Sequence, residues 1–504
     1  MNDKRRTFLP FPYKFFLPIL LLSTLSGCGS NSDNGIGYIH FYNASANAPA
    51  IYLTVDENLN SDNTDEIEKT YSSVAYGKST GIYDLDAQNY YVELAWQDDD
   101  SKNRDDLTMI YQQQLSIVAD EIQFIVLNED ITTPKITTYS IPLIDDDNDD
   151  DENLFNLRLL NTTTSYDKID VYISKSEETF NEAQLVNQIT YGQLTENQKF
   201  SQDQYIFYIT AAGSDEVLYT SDEIDYPYSS QYIMAVRKNE GAGSSPFVID
   251  KISNSNVIEY PNNNSQAKFR VFNAIELHDQ FPSYQGAVNF YLNEIDDTPE
   301  VNNLNYGEFS ASIITNNGDY GVELTIPNSN EIILQNQLMT LPENLDKTVF
   351  FYLSEEYVDD DNDGNVDENN DGIIDEIKAT INSLVVTNSS RQGIYDHNIK
   401  IINLVDKNDY ANVNISFVRS NEIIDTASYK RSAAFATPET ILLRNNTYTI
   451  YSVGKENSSN VLLATKELVL DETSHEQFLI LDEDATSPSG YKITLANQDA
   501  MSIE

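Results

Sequence analysis

An eighteen-residue acidic run stands between two alternating apolar stretches: Asp359-Asp360-Asp361-Asn362-Asp363-Gly364-Asn365-Val366-Asp367-Glu368-Asn369-Asn370-Asp371-Gly372-Ile373-Ile374-Asp375-Glu376. Two frames of the form Asp-x-(Asp or Asn)-x-Asp-Gly overlap in it, eight residues apart. Such spacing suits a hard divalent cation. Carboxylate oxygens at positions 1, 3 and 5 converge because the glycine at position 6 permits a sharp turn, and position 7 turns its main-chain carbonyl inward. Asp359, Asp361, Asp363, Asn365 and Asp367 are therefore the expected donors to one Ca²⁺. Asp367, Asn369, Asp371, Ile373 and Asp375 are the expected donors to a second, with Asp367 bridging. The expected role is structural: the ion neutralises carboxylates that would otherwise repel one another and so stiffens the loop.

Position 12, where a bidentate Glu would close the shell, is Asn370 in one frame and Lys378 in the other. The flanks, Phe350-Phe351-Tyr352 and Ile377 to Val386, alternate as strands. The loop is therefore expected to cap a hairpin, with no helix pair to open and close. The run resembles thrombospondin type 3 and dockerin-type calcium loops more than an EF-hand. Incomplete closure implies an affinity in the extracellular range, on the order of 10⁻⁴ to 10⁻³ M. A second acidic stretch, Asp145 to Glu152, lacks the turn glycine and reads as a linker.

The chain has one cysteine, Cys28. Lys4, Arg5, Arg6 and Lys14 are its positive n-region, and Phe15 to Leu22 form an apolar run too short to span a bilayer as a mature helix. Leu25-Ser26-Gly27-Cys28 then resembles the bacterial lipobox. The resemblance implies a signal peptide over 1–27, cleavage before Cys28, and a diacylated thiol carrying palmitate-like chains. Two or three acyl chains anchor a protein stably, where one does not. Gly29, rather than Asp, resembles the pattern of lipoproteins sorted to the outer membrane, and Arg5-Arg6-Thr7-Phe8-Leu9 resembles a twin-arginine export signal. Residues 28–36 read as a Ser/Asn/Gly tether of at most about 30 Å when stretched.

The elements that must position the loop recur along the chain. Ile39-His40-Phe41-Tyr42-Asn43, Leu157-Arg158-Leu159-Leu160-Asn161, Phe269-Arg270-Val271-Phe272-Asn273 and Ile399-Lys400-Ile401-Ile402-Asn403 share one pattern, with their asparagines 118, 112 and 130 residues apart. That period is too long for solenoid units and fits a β-sandwich. Later in each copy stand Tyr76-Gly77, Tyr191-Gly192, Tyr306-Gly307 and, diverged, Tyr429-Lys430. A glycine there suits a bulge or close backbone approach, and Lys430 implies that the fourth copy relaxes that constraint. The expected fold is all-β: four tandem antiparallel, immunoglobulin-like β-sandwich domains, each sheet with one polar face. Their expected bounds are 37–144, 154–256, 267–390 with the insert 359–376, and 391–504. The acidic linker 145–153 and the polar linker 257–266 join them. The basic second positions of the pentads are expected to be packing and edge features.

In the first copy, Asn43-Ala44-Ser45-Ala46-Asn47-Ala48-Pro49-Ala50-Ile51-Tyr52-Leu53-Thr54-Val55-Asp56 resembles the opening signature of domain of unknown function 4397. Ala75-Tyr76-Gly77-Lys78-Ser79-Thr80-Gly81 and Asn89-Tyr90-Tyr91-Val92-Glu93-Leu94 are similar to that family's later elements. Asn43 and Asn47 stand where the family has His and Asp, so no residue role is carried over.

Composition narrows the function. With 81 acidic and 30 basic side chains the net charge is −51, which repels nucleic acid and anionic headgroups and attracts divalent cations. The four histidines (His40, His278, His397 and His475) make no metal or catalytic pairing motif, and no nucleophile elbow, P-loop or dinucleotide fingerprint is present. Gly241-Ala242-Gly243-Ser244-Ser245 reads as a flexible hairpin tip. No catalytic residue is assigned. The expectation is a lipid-anchored, calcium-binding outer-membrane protein of the cell envelope, not an enzyme, that binds a protein or glycan partner or spaces one from the membrane. A polysaccharide-acting accessory or hydrolytic enzyme, and a purely structural lipoprotein, stay open beside it.

Overall fold

The four pentads lie in the β-strands Ile36–Asn43, Leu154–Asn161, Ala267–Ala274 and Asp396–Asn403. The computed structural model describes residues 35–59, 67–98, 101–144, 153–295, 298–329, 331–359, 366–367, 374, 376–456 and 458–499. Alternation sends Ile39 and Phe41 to one face and His40 and Tyr42 to the other. Each pentad's asparagine is fully buried and folds back on its own backbone. Its Oδ1 accepts from the N–H two residues on, that of Ser45, Thr163, Ile275 or Val405, at 3.0–3.2 Å. This Asx turn explains why a buried polar residue ends an apolar strand: it supplies the hydrogen bond that the turning backbone needs.

Each opening strand runs parallel to a late strand: Glu121–Asn128, Gln231–Lys238, Asp346–Tyr357 or Gln477–Glu483. These pairs centre four inner sheets whose remaining neighbours are antiparallel. Four outer sheets, built on Ile51–Asp56, Lys168–Lys175, Ala287–Leu292 and Asn412–Arg419, are antiparallel throughout. Among the described residues there is no α-helix. One-turn 3-10 helices occur at Arg104–Asp106, Phe180–Glu182 and Ile424–Thr426. Inner and outer sheets face each other in pairs around four apolar clusters, one of which holds Ile39 and Phe41 against Leu53, Val55 and Val92. The all-β sandwich fold is thus the observed one.

The inner sheets depart from the expected single polar face. Tyr42, Phe124 and Val126 of the first sheet pair lie against Leu160, Ile233 and Ala235 of the second, in a further buried cluster. Phe272 and Phe350 of the third meet Ile402, Phe478 and Ile480 of the fourth in the same way. The inner strands are therefore buried on both faces. That accounts for their unbroken apolar runs, such as Leu159-Leu160 and Ile401-Ile402, which period-two alternation would have broken. Burying one such side chain contributes about 1.5–3 kcal/mol, so these clusters help hold neighbouring pairs together.

Candidate functional site

Strands Asp346–Tyr357 and Ile377–Thr387 form a long hairpin, in register to its last pair, Tyr357 opposite Ile377. The acidic loop grows from this end. The Val358 N–H donates to the Glu376 carbonyl at 3.1 Å, and the Glu376 N–H to the Val366 carbonyl at 3.2 Å. Asp359 and Asp367 stand at the loop's described positions, while Asp361, Asp363, Asn365, Asn369, Asp371, Ile373 and Asp375 lie outside the described residues, as does Cys28. The strand flanks expected for the loop are present. The donors expected from the sequence are all oxygen atoms, as a hard cation requires.

At this loop-bearing end of the hairpin the third and fourth sheet pairs bring carboxylates together. Glu355 receives His278 Nε2 at 3.2 Å, and its own N–H donates to Asp406 Oδ2 at 3.2 Å. Nearby, Glu276 is pushed up to about 9, first by burial and then by Glu483 and Asp482. Burial likewise lifts Asp482 to about 7 and raises Glu483. The Tyr306 hydroxyl donates to Asp482 Oδ2 at 2.9 Å and lies 2.8 Å from the Glu483 carbonyl, with Lys492 over its ring at 4.7 Å.

Tyr306 belongs to a set that the sequence only half revealed. Its neighbour Gly307 donates to the Asn273 carbonyl at 2.7 Å with a φ of +77°. Gly77 and Gly192 make the same bond to Asn43 and Asn161, both at 2.8 Å. In the fourth copy that bond to Asn403 comes from Ala436, at 2.8 Å and φ +49°. The fourth aromatic is therefore Phe435 and not Tyr429, and the constraint is kept instead of relaxed, although an L-residue pays in sterics for a left-handed backbone. Lys430 sits in the strand Tyr429–Ala434, opposite Ser416.

Each of these aromatics crosses to the neighbouring inner sheet, and the crossing is reciprocal. Tyr76 accepts from Arg237 of the second pair at 3.1 Å, and Tyr191 accepts from Asn128 of the first at 3.3 Å. Tyr306 reaches Asp482 of the fourth, and Phe435 stacks edge-on with Tyr352 of the third at 5.4 Å. Asn128, Arg237, Tyr352 and Asp482 are equivalent: each follows the strand partner of its pentad's asparagine. Residue i meets residue j while j meets i, which is the signature of an isologous contact. Within one chain, two pseudo-twofold junctions result. The basic pentad positions lie in them: Arg270 donates to the Gln498 carbonyl at 3.2 Å, and Lys400 bonds the Thr387 carbonyl.

The tip at Gly241 to Ser245 is docked against the third pair. The Gly243 N–H donates to Asn344 Oδ1 at 2.8 Å and the Ala242 N–H to the Asn344 carbonyl at 3.1 Å. A Cβ on Gly241 would lie 2.3 Å from Asn344 Nδ2, so the glycines are there for close approach.

No family model matches the chain, and no curated protein matches it. Among solved structures, the Bacillus anthracis TIE protein is 12% identical over 86% of this chain and 69% of its own, with a TM-score of 0.15. A leucine-rich repeat protein from Bacteroides thetaiotaomicron is 11% identical over 43% of this chain and 26% of its own, with a TM-score of 0.11. The pilus adhesin SpaC from Lactobacillus rhamnosus GG is 10% identical over 89% and 55%, with a TM-score of 0.14. At such scores none of them bears on what this chain does.

Proposed function

We propose that this chain is a lipid-anchored, calcium-binding envelope protein of the outer membrane that acts without catalysis, holding a protein or glycan partner at a set distance from the membrane. One observation carries the reading: inner sheets of neighbouring pairs share buried apolar clusters. Sheets joined through such clusters resist bending, so the outer sheets keep fixed positions, as a spacing and display module needs. The acidic loop joins the two strands of a long hairpin of the third pair, which an added ion would stiffen, and Cys28 would attach the assembly to lipid. The four sheet pairs are read as copies of one unit akin to domain of unknown function 4397.

The test uses the full chain in a bacterial envelope. Metabolic labelling with an acyl probe is expected in the wild type and lost in Cys28→Ala. Envelope proteins or glycans captured with calcium present, and released by a chelator, support the reading. Reducing-sugar release from polysaccharide by the purified chain would overturn it in favour of a hydrolytic enzyme.

A further inference from the structure

The four sheet pairs fall into two halves. The first and second pairs share one buried apolar cluster across their inner sheets, and the third and fourth share another. Among the described residues, the buried members of every apolar cluster stay within one half. Large apolar contacts fix neighbouring units in one chain, whereas small or polar ones let them move. Each half is thus a rigid body, and the seam between the halves is where the molecule can bend.

One side of the seam is polar and carries the covalent connection. Asn262 Oδ1 accepts from the Thr220 N–H at 2.8 Å, and the Asn263 N–H donates to the Thr220 carbonyl at 2.7 Å, which fastens both to the second pair. The next residue changes sides: the Asn264 N–H donates to Glu343 Oε1 of the third pair at 2.8 Å. Asn264 holds a left-handed φ of +53°, so the chain turns where it crosses. Beside it the tip at Gly241 to Ser245 has no large apolar side chain and meets Asn344 through hydrogen bonds. Water takes over such bonds when a seam opens, so each one holds it weakly.

The other side is closed by a strap, residues 391–395, that leads into the fourth pair. Asn445 pins it there: its Nδ2 donates to the Ile394 carbonyl at 2.8 Å and its N–H to the Tyr395 carbonyl at 3.2 Å. Ile394 and Tyr395 pack on the core cluster of the first pair, where the Tyr395 ring lies on Trp96 at 4.8 Å and 13°. The Arg444 guanidinium is 5.9 Å from the centre of the Trp96 ring. Beside the stack the seam is unfilled. A cleft of about 570 Å³ separates Trp96 and Asp98 of the first pair from Arg419, Arg444 and Asn446 of the fourth. A half-buried strap with an open cleft at its flank therefore seals this side.

We propose that the two halves are arms on a hinge, which pivots at Asn263 and Asn264 and is latched by Tyr395 against Trp96. Released, the arms swing apart while each keeps its own geometry, so the chain has a closed and an extended reach. The hinge goes beyond the reading of the chain as a display module and does not depend on it.

Trp96 is the sole tryptophan of the chain and is 8% exposed in the closed form, so its emission reports the latch. In a urea series on the purified full chain, Trp96 emission should shift red and its quenching by acrylamide rise about threefold before the far-ultraviolet circular dichroism changes. The radius of gyration should grow in step with that early change. Tyr395→Ala should show the exposed emission and the larger radius without urea, and keep the circular dichroism of the wild type. Asn344→Ala, on the hinge side, should bring the early step to lower urea with Tyr395 still in place. Emission and circular dichroism changing together in the wild type would show that the halves do not part. Exposed emission at an unchanged radius would reduce the latch to a loose strap, and either result overturns the hinge. Neither bears on lipid anchoring or calcium-dependent capture, which acyl labelling and a chelator read separately.

Discussion

At the residue scale the fourth copy carries a strain that the other three avoid. Ala436 holds a left-handed φ of +49° where Gly77, Gly192 and Gly307 stand at +68°, +72° and +77°. A side chain in that region costs about 1–2 kcal/mol, and glycine returns part of that gain through its freer unfolded chain. Ala436→Gly should therefore stabilise the protein by about 0.5–1 kcal/mol, and Gly192→Ala should destabilise it by about 1 kcal/mol, both read from urea unfolding midpoints. His40 is a second special residue. It lines a cavity of about 20 Å³ with Arg158, at the junction of the first and second pairs, and its Nε2 has no protein hydrogen-bond partner among the described residues. Burial pulls its pKa down to about 4 from 6.5. A depressed histidine gives stability that is present above its unfolded value and lost as pH falls through its folded one. Between pH 7 and pH 5 that loss is about 2 kcal/mol. His40→Gln should lose correspondingly less over the same interval, and equal losses in both proteins would refute the assignment.

At the element scale the decisive pieces are hairpins. Strands Gln231–Lys238 and Phe247–Ile252 carry a tip whose glycines close on Asn344, whereas the corresponding hairpin of the third pair carries the acidic loop. Gly243→Val would set a Cβ 2.7 Å from Ser265 Oγ and displace the tip. Asn344→Ala would strip the acceptor from the Gly243 N–H and from Asn239 Nδ2, bonded at 2.8 and 3.1 Å. Each change should cost about 1–3 kcal/mol and speed proteolytic cleavage in residues 261–266, which follow the strand Val257–Tyr260 that pairs with Phe247–Ile252 where the linker was expected to begin. Cleavage no faster than in the wild type would show that the tip is not what ties the second and third pairs.

At the scale of the whole molecule, the two pseudo-twofold junctions share geometry and differ in charge. The first buries His40 and Arg158, with Arg237 paired to Asp250 at 2.8 Å. The second gathers Glu276, Asp482 and Glu483 beside Lys492 and His278. Raised carboxylates give stability that is fully present below their unfolded values and lost as pH rises through their folded ones, for Glu276 through about 9. Acid should therefore loosen the first junction and tighten the second. Hydrogen exchange should show Tyr42 to Ala44 less protected at pH 5 than at pH 7, and Phe478 to Leu481 more protected at pH 5 than at pH 9. The same direction of change at both junctions would contradict this. The Trp96 ring stacks on Tyr395 at 4.8 Å, so the first pair also touches the chain entering the fourth.

Much of this was legible in the residues themselves. Alternation, β-branched and aromatic content, and the recurring pentads specified an all-β chain, and the pentad asparagines marked a turn, because those signals act over a few neighbouring residues. Local sequence could not tell which aromatic served the fourth copy. The choice of Phe435 over Tyr429 rests on a backbone bond to Asn403, 33 residues earlier in the chain. Nor could it tell that the second face of each inner sheet is covered by another copy, or that a docked tip begins as a glycine-rich stretch. Periodicity records whether a side chain is buried. What it is buried against depends on contacts between residues more than a hundred positions apart, and only the tertiary structure brings those together.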